Sequence, residues 1–365
     1  MDIVSSGLNL DGAQLLSYAA SAAKLFAPDG VTTARGDEKR LRSELKELRR
    51  FYDKLRLSGD GEDHTAADEW VLDNYYLILR EGQSALAALR SSGALRACGG
   101  ESLPFALCRA LLRAGGGKVT EERLLTFHDG FQSVRVLRQG ALEMLGAMLR
   151  CAVISAIAEV CRSIRHGGQE PSVQARGHAQ LLSALFAALR RLPLMDFDEL
   201  TARVNVPGLI LALDPTGEYP RMDTQTKRAY LKALERLAEK EGSEEESAAR
   251  SLIERAKSEG RHVGFYLFAD NGGPRAEIYT AAKLALTLAS ELLIGYRMGL
   301  AAALLLLLPV FETVKGLTDF VLSRLIRPRR LPRMDMRCGI PAEGKTVCVI
   351  STLLCDVNAA ERSAE

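Results

Sequence analysis

The chain has 365 residues, of which 48 are Lys or Arg and 46 are Asp or Glu, so its net charge is close to neutral. That length admits two domains of ordinary size, and the balanced charge argues against nucleic acid as a partner, which needs a basic excess on one face. Seven cysteines, an odd number with no C-x-x-C pair, and five histidines without ligand spacing argue against a disulfide framework and a metal site, and leave reduced, idle thiols as the expectation.

Ala and Leu dominate and favour helices. Residues 1–36 carry Gly, Ser, Ala and Thr with no sustained period and are expected to form a loose leader. No basic stretch followed by an apolar core opens the chain, so no secretory signal is expected. Asp37 to Arg56 predicts a charged helix with Leu41, Leu45, Leu48 and Phe51 on one stripe. Asp68 to Leu89 predicts a second, with Val71, Tyr75 and Ile78 at the spacing of a buried face. Gly-rich breaks follow at 93–100 and at Gly115–Gly117. From Glu121 to Ile164 the pattern is helical again, with Leu142, Leu145, Leu149 and Val153 on a face. His178 to Leu192 adds a helix carrying Leu182, Leu185, Phe186 and Leu189.

Asp214-Pro215-Thr216-Gly217 is a turn signal. Asp223 stands as the N-cap of a helix from Thr224 to Glu241, and Glu244 to Glu259 continues in the same style. Val263 to Phe268 is a short apolar run, read as a strand and closed by Asp270 to Pro274. Residues 37–275 are therefore expected to be one helical domain.

Residues 279–326 change character. Met298 to Phe311 carries no charge and includes five consecutive leucines at 304–308. Alone it falls short of the roughly twenty residues that span hydrocarbon. Tyr279 to Tyr296 is a second largely apolar stretch, broken by Lys283 and Glu291, with Arg297 at the join where it can snorkel to the interface. Together they predict a transmembrane helical hairpin, although a buried pair of soluble helices fits the same pattern. Val310 to Ile326 then reads as an amphipathic interfacial helix. The basic cluster Arg327, Arg329, Arg330, Arg333 and Arg337 follows as the candidate membrane-surface contact. By the bias of basic residues to the cytoplasmic side, this cluster and the N-terminal domain are both expected in the cytoplasm, with membrane lipid as partner. The one objection is Glu291, since a carboxylate in lipid costs a few kcal/mol.

Three short motifs are set aside. Gly115-Gly116-Gly117-Lys118 lacks the leading Gly of a phosphate loop, because position 112 is Leu, and lacks Ser or Thr after the Lys. Asp196-Phe197-Asp198 has the form of a metal-holding carboxylate pair but no strand leads into it, so a solvated turn or helix start is expected. His262 beside Tyr266 has no nucleophile or carboxylate placed with it by sequence, and is expected to be a packed structural histidine.

Four stretches together carry a resemblance. They are Glu69 to Tyr76 (EWVLDNYY), Asp214 to Tyr230 (DPTGEYPRMDTQTKRAY), His262 to Leu267 (HVGFYL) and Pro328 to Leu354 (PRRLPRMDMRCGIPAEGKTVCVISTLL). In this order they resemble the N-terminal part of bacterial cyclic β-1,2-glucan synthases and related large membrane glycosyltransferases. The resemblance implies a mostly α chain: a helical N-terminal domain, a transmembrane hairpin, then a basic linker and the first strand of an incomplete α/β glycosyltransferase domain over 327–365. It implies anchoring in the bacterial inner membrane and partnership with the remaining synthase domains. The parent reaction is glucosyl transfer from UDP-glucose to a β-1,2-glucan. UDP-glucose and a divalent metal are expected only for the complete enzyme, because the family's binding carboxylates follow the first strand; this chain alone is expected to hold no cofactor and to be inactive. Arg221, Asp223 and His262 match family positions without an implied chemistry. The chain departs from the family at Ser351, where relatives carry Pro, and at Lys315, in a segment that is usually more apolar. On the same residues, a stand-alone helical membrane-associated interaction protein or a non-functional fragment remain the alternatives.

Overall fold

The computed structural model describes residues 8–57, 64–166, 172–268, 276–325, 331–337, 339–340 and 344–345. They divide into two compact units, one of Met1–Pro220 with Lys227–Tyr279 and the other of Arg221–Thr226 with Thr280–Glu365. The described chain is mostly helical. In order it runs through α1 (Gly12–Leu25), β1 (Gly30–Thr33), α2 (Arg35–Leu57), α3 (Ala66–Arg90), β2 (Ala94–Cys98), β3 (Glu101–Ser102), α4 (Leu103–Ala114), α5 (Glu121–Gln132), α6 (Gln139–Glu143) and α7 (Leu145–His166). It continues through α8 (Ser172–Arg191), α9 (Phe197–Val204), α10 (Val206–Leu211), α11 (Thr224–Glu241), α12 (Glu245–Glu259), α13 (Val263–Phe268), α14 (Ala276–Met298) and α15 (Leu300–Leu325).

The core of the first unit forms around α7, which packs against α2, α3, α4 and α8. Leu149, Ala152, Val153, Ile154, Ala156, Ile157 and Val160 of α7 are all fully buried. A helix apolar on every side belongs inside a bundle. The stripes expected on α2 and α3 supply the facing surface, with Leu41, Leu48, Phe51, Val71 and Ile78 buried and Tyr52 stacked on Tyr75 at 4.2 Å. Two buried carboxylates in this core are paired. Arg150 Nε donates to Glu81 at 2.8 Å and Ser155 donates to the buried Glu44 at 2.6 Å, since an unpaired charge there would cost several kcal/mol.

Helix starts are encoded locally. Asp11 and Gln14 form a reciprocal capping box at α1, Thr65 and Asp68 form another at α3, and Asp223 accepts from Thr226 N–H at 2.7 Å at the start of α11, each satisfying orphan amides. The Gly run at 115–117 is a helix end: Gly116 and Gly117 take φ of +57° and +83°, and Gly117 N–H donates to Leu112 at 2.9 Å.

Three expectations are corrected. The expected loose leader folds within residues 8–36: Leu15, Ala19 and Ala23 of α1 are buried, and α1 packs on α5 so closely that a β-carbon on Gly130 would lie 2.4 Å from the Leu16 carbonyl oxygen. Small residues on both helices permit that approach and leave no long-period stripe to read. The Gly-rich break at 93–100 holds β2, central in a three-stranded antiparallel sheet of order β1-β2-β3. The run Val263 to Phe268, expected to be a strand, is helix α13; it packs on helix α12, and among the described residues no strand edge is offered to it.

Candidate functional site

In the second unit α14 and α15 fold back on each other through Gly299, whose φ is +88°, a value only glycine adopts without strain. A β-carbon on Gly295 would sit 3.7 Å from that of Ala303, and Lys283 Nζ lies 5.4 Å from the Phe311 ring centre, so the helices run antiparallel. The segment expected as a separate amphipathic helix after Val310 is continuous with the leucine run in α15. Pro309 sits inside that helix, and Thr313 donates back to its carbonyl at 2.7 Å.

The outward surface of these helices is apolar. Leu304, Leu305 and Leu308 are 69, 81 and 74% exposed. Leu284, Leu288, Leu292, Leu293 and Leu300 are exposed as well. Among the described residues α15, over Leu300–Arg324, is the helix long and apolar enough to cross a membrane, and none of its most apolar window is buried. A contiguous apolar surface of this kind marks a protein or membrane contact. Its charges are partly offset: Lys315 lies 3.8 Å from Glu312, one turn away, and Arg324 stacks on Phe320 at 4.8 Å. On the face of α14 turned from solvent, Thr287 and Glu291 are buried, and among the described residues neither carboxylate oxygen of Glu291 has a hydrogen-bond partner.

Of the five arginines read as a membrane-surface contact, Arg327, Arg329 and Arg330 lie outside the described residues, as does the apolar run 346–354. Arg333 and Arg337 belong to an extended strip held against residues 221–226. Met334 bridges Met222 antiparallel. Asp223 N–H donates to the Arg333 carbonyl at 2.9 Å, and Asp335 N–H to that of Arg221 at 2.8 Å. Arg333 N–H donates to Thr226 Oγ1 at 3.0 Å. The Arg333 side chain is left in solvent, whereas Arg337 pairs with Asp335 at 3.2 Å and reaches Thr224 Oγ1 at 3.4 Å.

A second polar constellation lies in the first unit. Asp214, with no exposed side-chain surface, receives His262 Nδ1–H at 2.7 Å, the Thr216 hydroxyl at 2.6 Å and Val263 N–H at 3.1 Å. Nε2 of His262 lies 2.9 Å from the Tyr230 hydroxyl. Burial pushes the Asp214 carboxyl up, but the bonds from Thr216, His262 and Val263 outweigh it and the group ends below its ordinary range. Gly264 makes the contact possible, because a β-carbon there would come within 2.4 Å of Tyr230 Oη. Tyr219, packed on Tyr230 at 5.6 Å, is raised by burial and then by Tyr230, so its phenol stays neutral. With Asp214, Tyr219 and Tyr230 all buried, the network ties the 214–217 turn, α11 and α13 together.

Sequence reasoning placed no carboxylate beside His262, and the structure corrects that. The local signals were an Asp-Pro turn and a glycine two residues after a histidine; nothing in either announces a partner 48 residues away. Asp196 is the N-cap of α9, accepting from Asp198 and Glu199 N–H at 3.0 Å, and Asp198 pairs with Arg228, which agrees with the helix-start reading of that motif. No protein-family model matches the chain, and no curated protein matches it.

Proposed function

We propose that this chain is the membrane-anchoring, non-catalytic helical module of a glycosyltransferase resembling the bacterial cyclic β-1,2-glucan synthases. The observation that carries the anchoring role is the long apolar surface of α15, exposed along its length. In water each such leucine forgoes about 1.5–3 kcal/mol of burial; in hydrocarbon that penalty disappears. With α14 as a second span the pair is a hairpin in the bacterial inner membrane, and both flanking segments are cytoplasmic, on the side of Arg327, Arg329, Arg330, Arg333 and Arg337. Each arginine free to face an anionic lipid adds about 1 kcal/mol of attraction.

The sugar assignment rests on the four resembling stretches alone. In the family, the UDP-glucose and metal carboxylates follow the first strand of the transferase domain, so glucosyl transfer belongs to the synthase domains that this module holds at the bilayer, and the anchoring residues carry no catalytic role. Two measurements test the reading. Carbonate-washed membranes from cells expressing the chain should retain it, and those membranes should transfer no glucose from labelled UDP-glucose unless a complete synthase is co-expressed. Recovery in the soluble fraction would remove the anchor; transfer by the chain unaided would remove the non-catalytic assignment. Replacing the five arginines with Glu should invert or weaken placement in a protease-protection assay, and unchanged protection would count against their role.

A further inference from the structure

The first unit contains a cavity of about 680 Å³ between β2, the 132–141 segment, the end of α11 and the start of α12, a volume typical of small-molecule sites. Its lining is of two kinds. Leu95, Leu103, Val134 and Val206 are aliphatic; Glu235, Glu239, Glu244, Glu245 and Glu246 bring five carboxylates, and Arg96, Arg135 and Arg138 three guanidinium groups.

The arginines are engaged, apart from the buried Nε of Arg138, which has no partner among the described residues. Arg96 pairs with Glu244 at 3.1 Å and Arg138 with the same carboxylate at 3.5 Å, while Arg135 donates to the Phe26 carbonyl at 2.8 Å. Glu246 is taken by Arg250 at 2.8 Å. Among the described residues Glu235, Glu239 and Glu245 form no ion pair, though the charges of Lys232 and Arg138 act on Glu235 and that of Arg138 on Glu245. Glu235 Oε1 reaches over Gly140, 3.5 Å from where a β-carbon would stand. Its carboxyl is raised by burial first and then by the charges of Glu239 and Glu143. Glu245, only 4% exposed, receives Gln139 N–H at 3.0 Å on one oxygen, while the other is buried with no partner among the described residues. Burial, with Glu235 and Glu244 adding to it, pushes Glu245 up to about 7.

We propose that this cavity binds an aliphatic polyamine, its ammonium groups taken by Glu235, Glu239 and Glu245 and its methylene chain lying against Leu95 and Val206. The excess of carboxylate disfavours an anion, and the mutual repulsion of the acids gives a neutral ligand no advantage over water. Among the described residues no three or more acidic, His or Cys groups stand close enough to hold a single metal ion. Charges spaced along an alkyl chain match carboxylates that are spread along a wall, with Glu235 and Glu239 one helical turn apart.

The test is calorimetric titration of the full chain in neutral detergent with spermidine, 1,4-diaminobutane, 1,4-butanediol and magnesium chloride. Spermidine is expected to bind most tightly, diaminobutane more weakly, and the diol and Mg²⁺ not measurably. The Glu235→Gln/Glu239→Gln variant should lose at least tenfold in spermidine affinity. Equal binding of the diol, equal binding of Mg²⁺, or an unchanged variant would each overturn the proposal. Should the variant fail to fold, carbodiimide coupling of the unaltered protein decides: the primary amines of bound spermidine should capture the activated carboxyls as amide adducts concentrated on Glu235 and Glu239, and adducts no more frequent there than on exposed carboxylates elsewhere refute the site.

Discussion

Replacing Leu305 and Leu308 together with Asp separates a lipid-facing α15 from a water-facing one, because the two environments give effects of very different size. Both side chains are largely exposed, at 81 and 74%, so neither change opens a cavity. In a bilayer, exchanging a Leu near the helix centre for Asp moves insertion by about 3.5 kcal/mol, and the pair by about 7 kcal/mol, or roughly 10⁵-fold. In water the same changes fall within about 0.5 kcal/mol each or improve solubility. The neighbouring Glu312–Lys315 pair gives α15 little surplus hydrophobicity with which to absorb two more charges, since the charge-free part from Leu300 to Phe311 spans only about 18 Å at 1.5 Å per residue. Liposome flotation and carbonate extraction read the outcome. The unaltered chain should float and stay in the pellet, and the double variant should move to the soluble fraction with its helical circular dichroism retained. If the variant pellets as the parent does, the exposed leucines are not the membrane contact.

Three further outcomes follow from named contacts. Gly264→Ala forces the added methyl against Tyr230 Oη and the His262 ring and should cost about 1–3 kcal/mol, read as a lower urea midpoint at unchanged slope; an unchanged midpoint would mean that the Tyr230–His262 bond is dispensable. Asp214→Ala strips His262, Thr216 and Val263 of a buried acceptor and should cost about 3 kcal/mol at pH 7. Because Asp214 is held below its ordinary range in the folded chain, its contribution is complete above the unfolded value near pH 3.9 and disappears as pH falls through the lower folded value. The unaltered protein should therefore lose this increment only below about pH 4, and the variant should lack that acid limb; parallel stability curves for the two below pH 4 would contradict this. Glu291→Leu removes a buried carboxylate with no hydrogen-bond partner among the described residues and should favour insertion of α14 by about 2–3 kcal/mol, seen as stronger protection of a cysteine introduced into the helix by Leu288→Cys from membrane-impermeant thiol reagents. Unaltered labelling would argue that α14 does not enter lipid.

Local pattern alone was enough for most of the helices. The stripes on α2, α3, α7 and α8, the Asp223 cap and the apolar break near residue 279 were all legible, because 3.6-residue periodicity and capping depend on neighbours within a few positions. The same locality explains the failures. The burial of α1 depends on its fit to Gly130 on α5, and the Val263 run had no local reason to choose helix over strand. The bond from His262 to Asp214, the cavity walled by Glu235 and Glu245, and the strip 331–337 laid along 221–226 join residues far apart in the chain. Such contacts are decided when the helices pack and bring distant charges into a shared low-dielectric space, and no period or turn signal records which distant partner a buried group will meet.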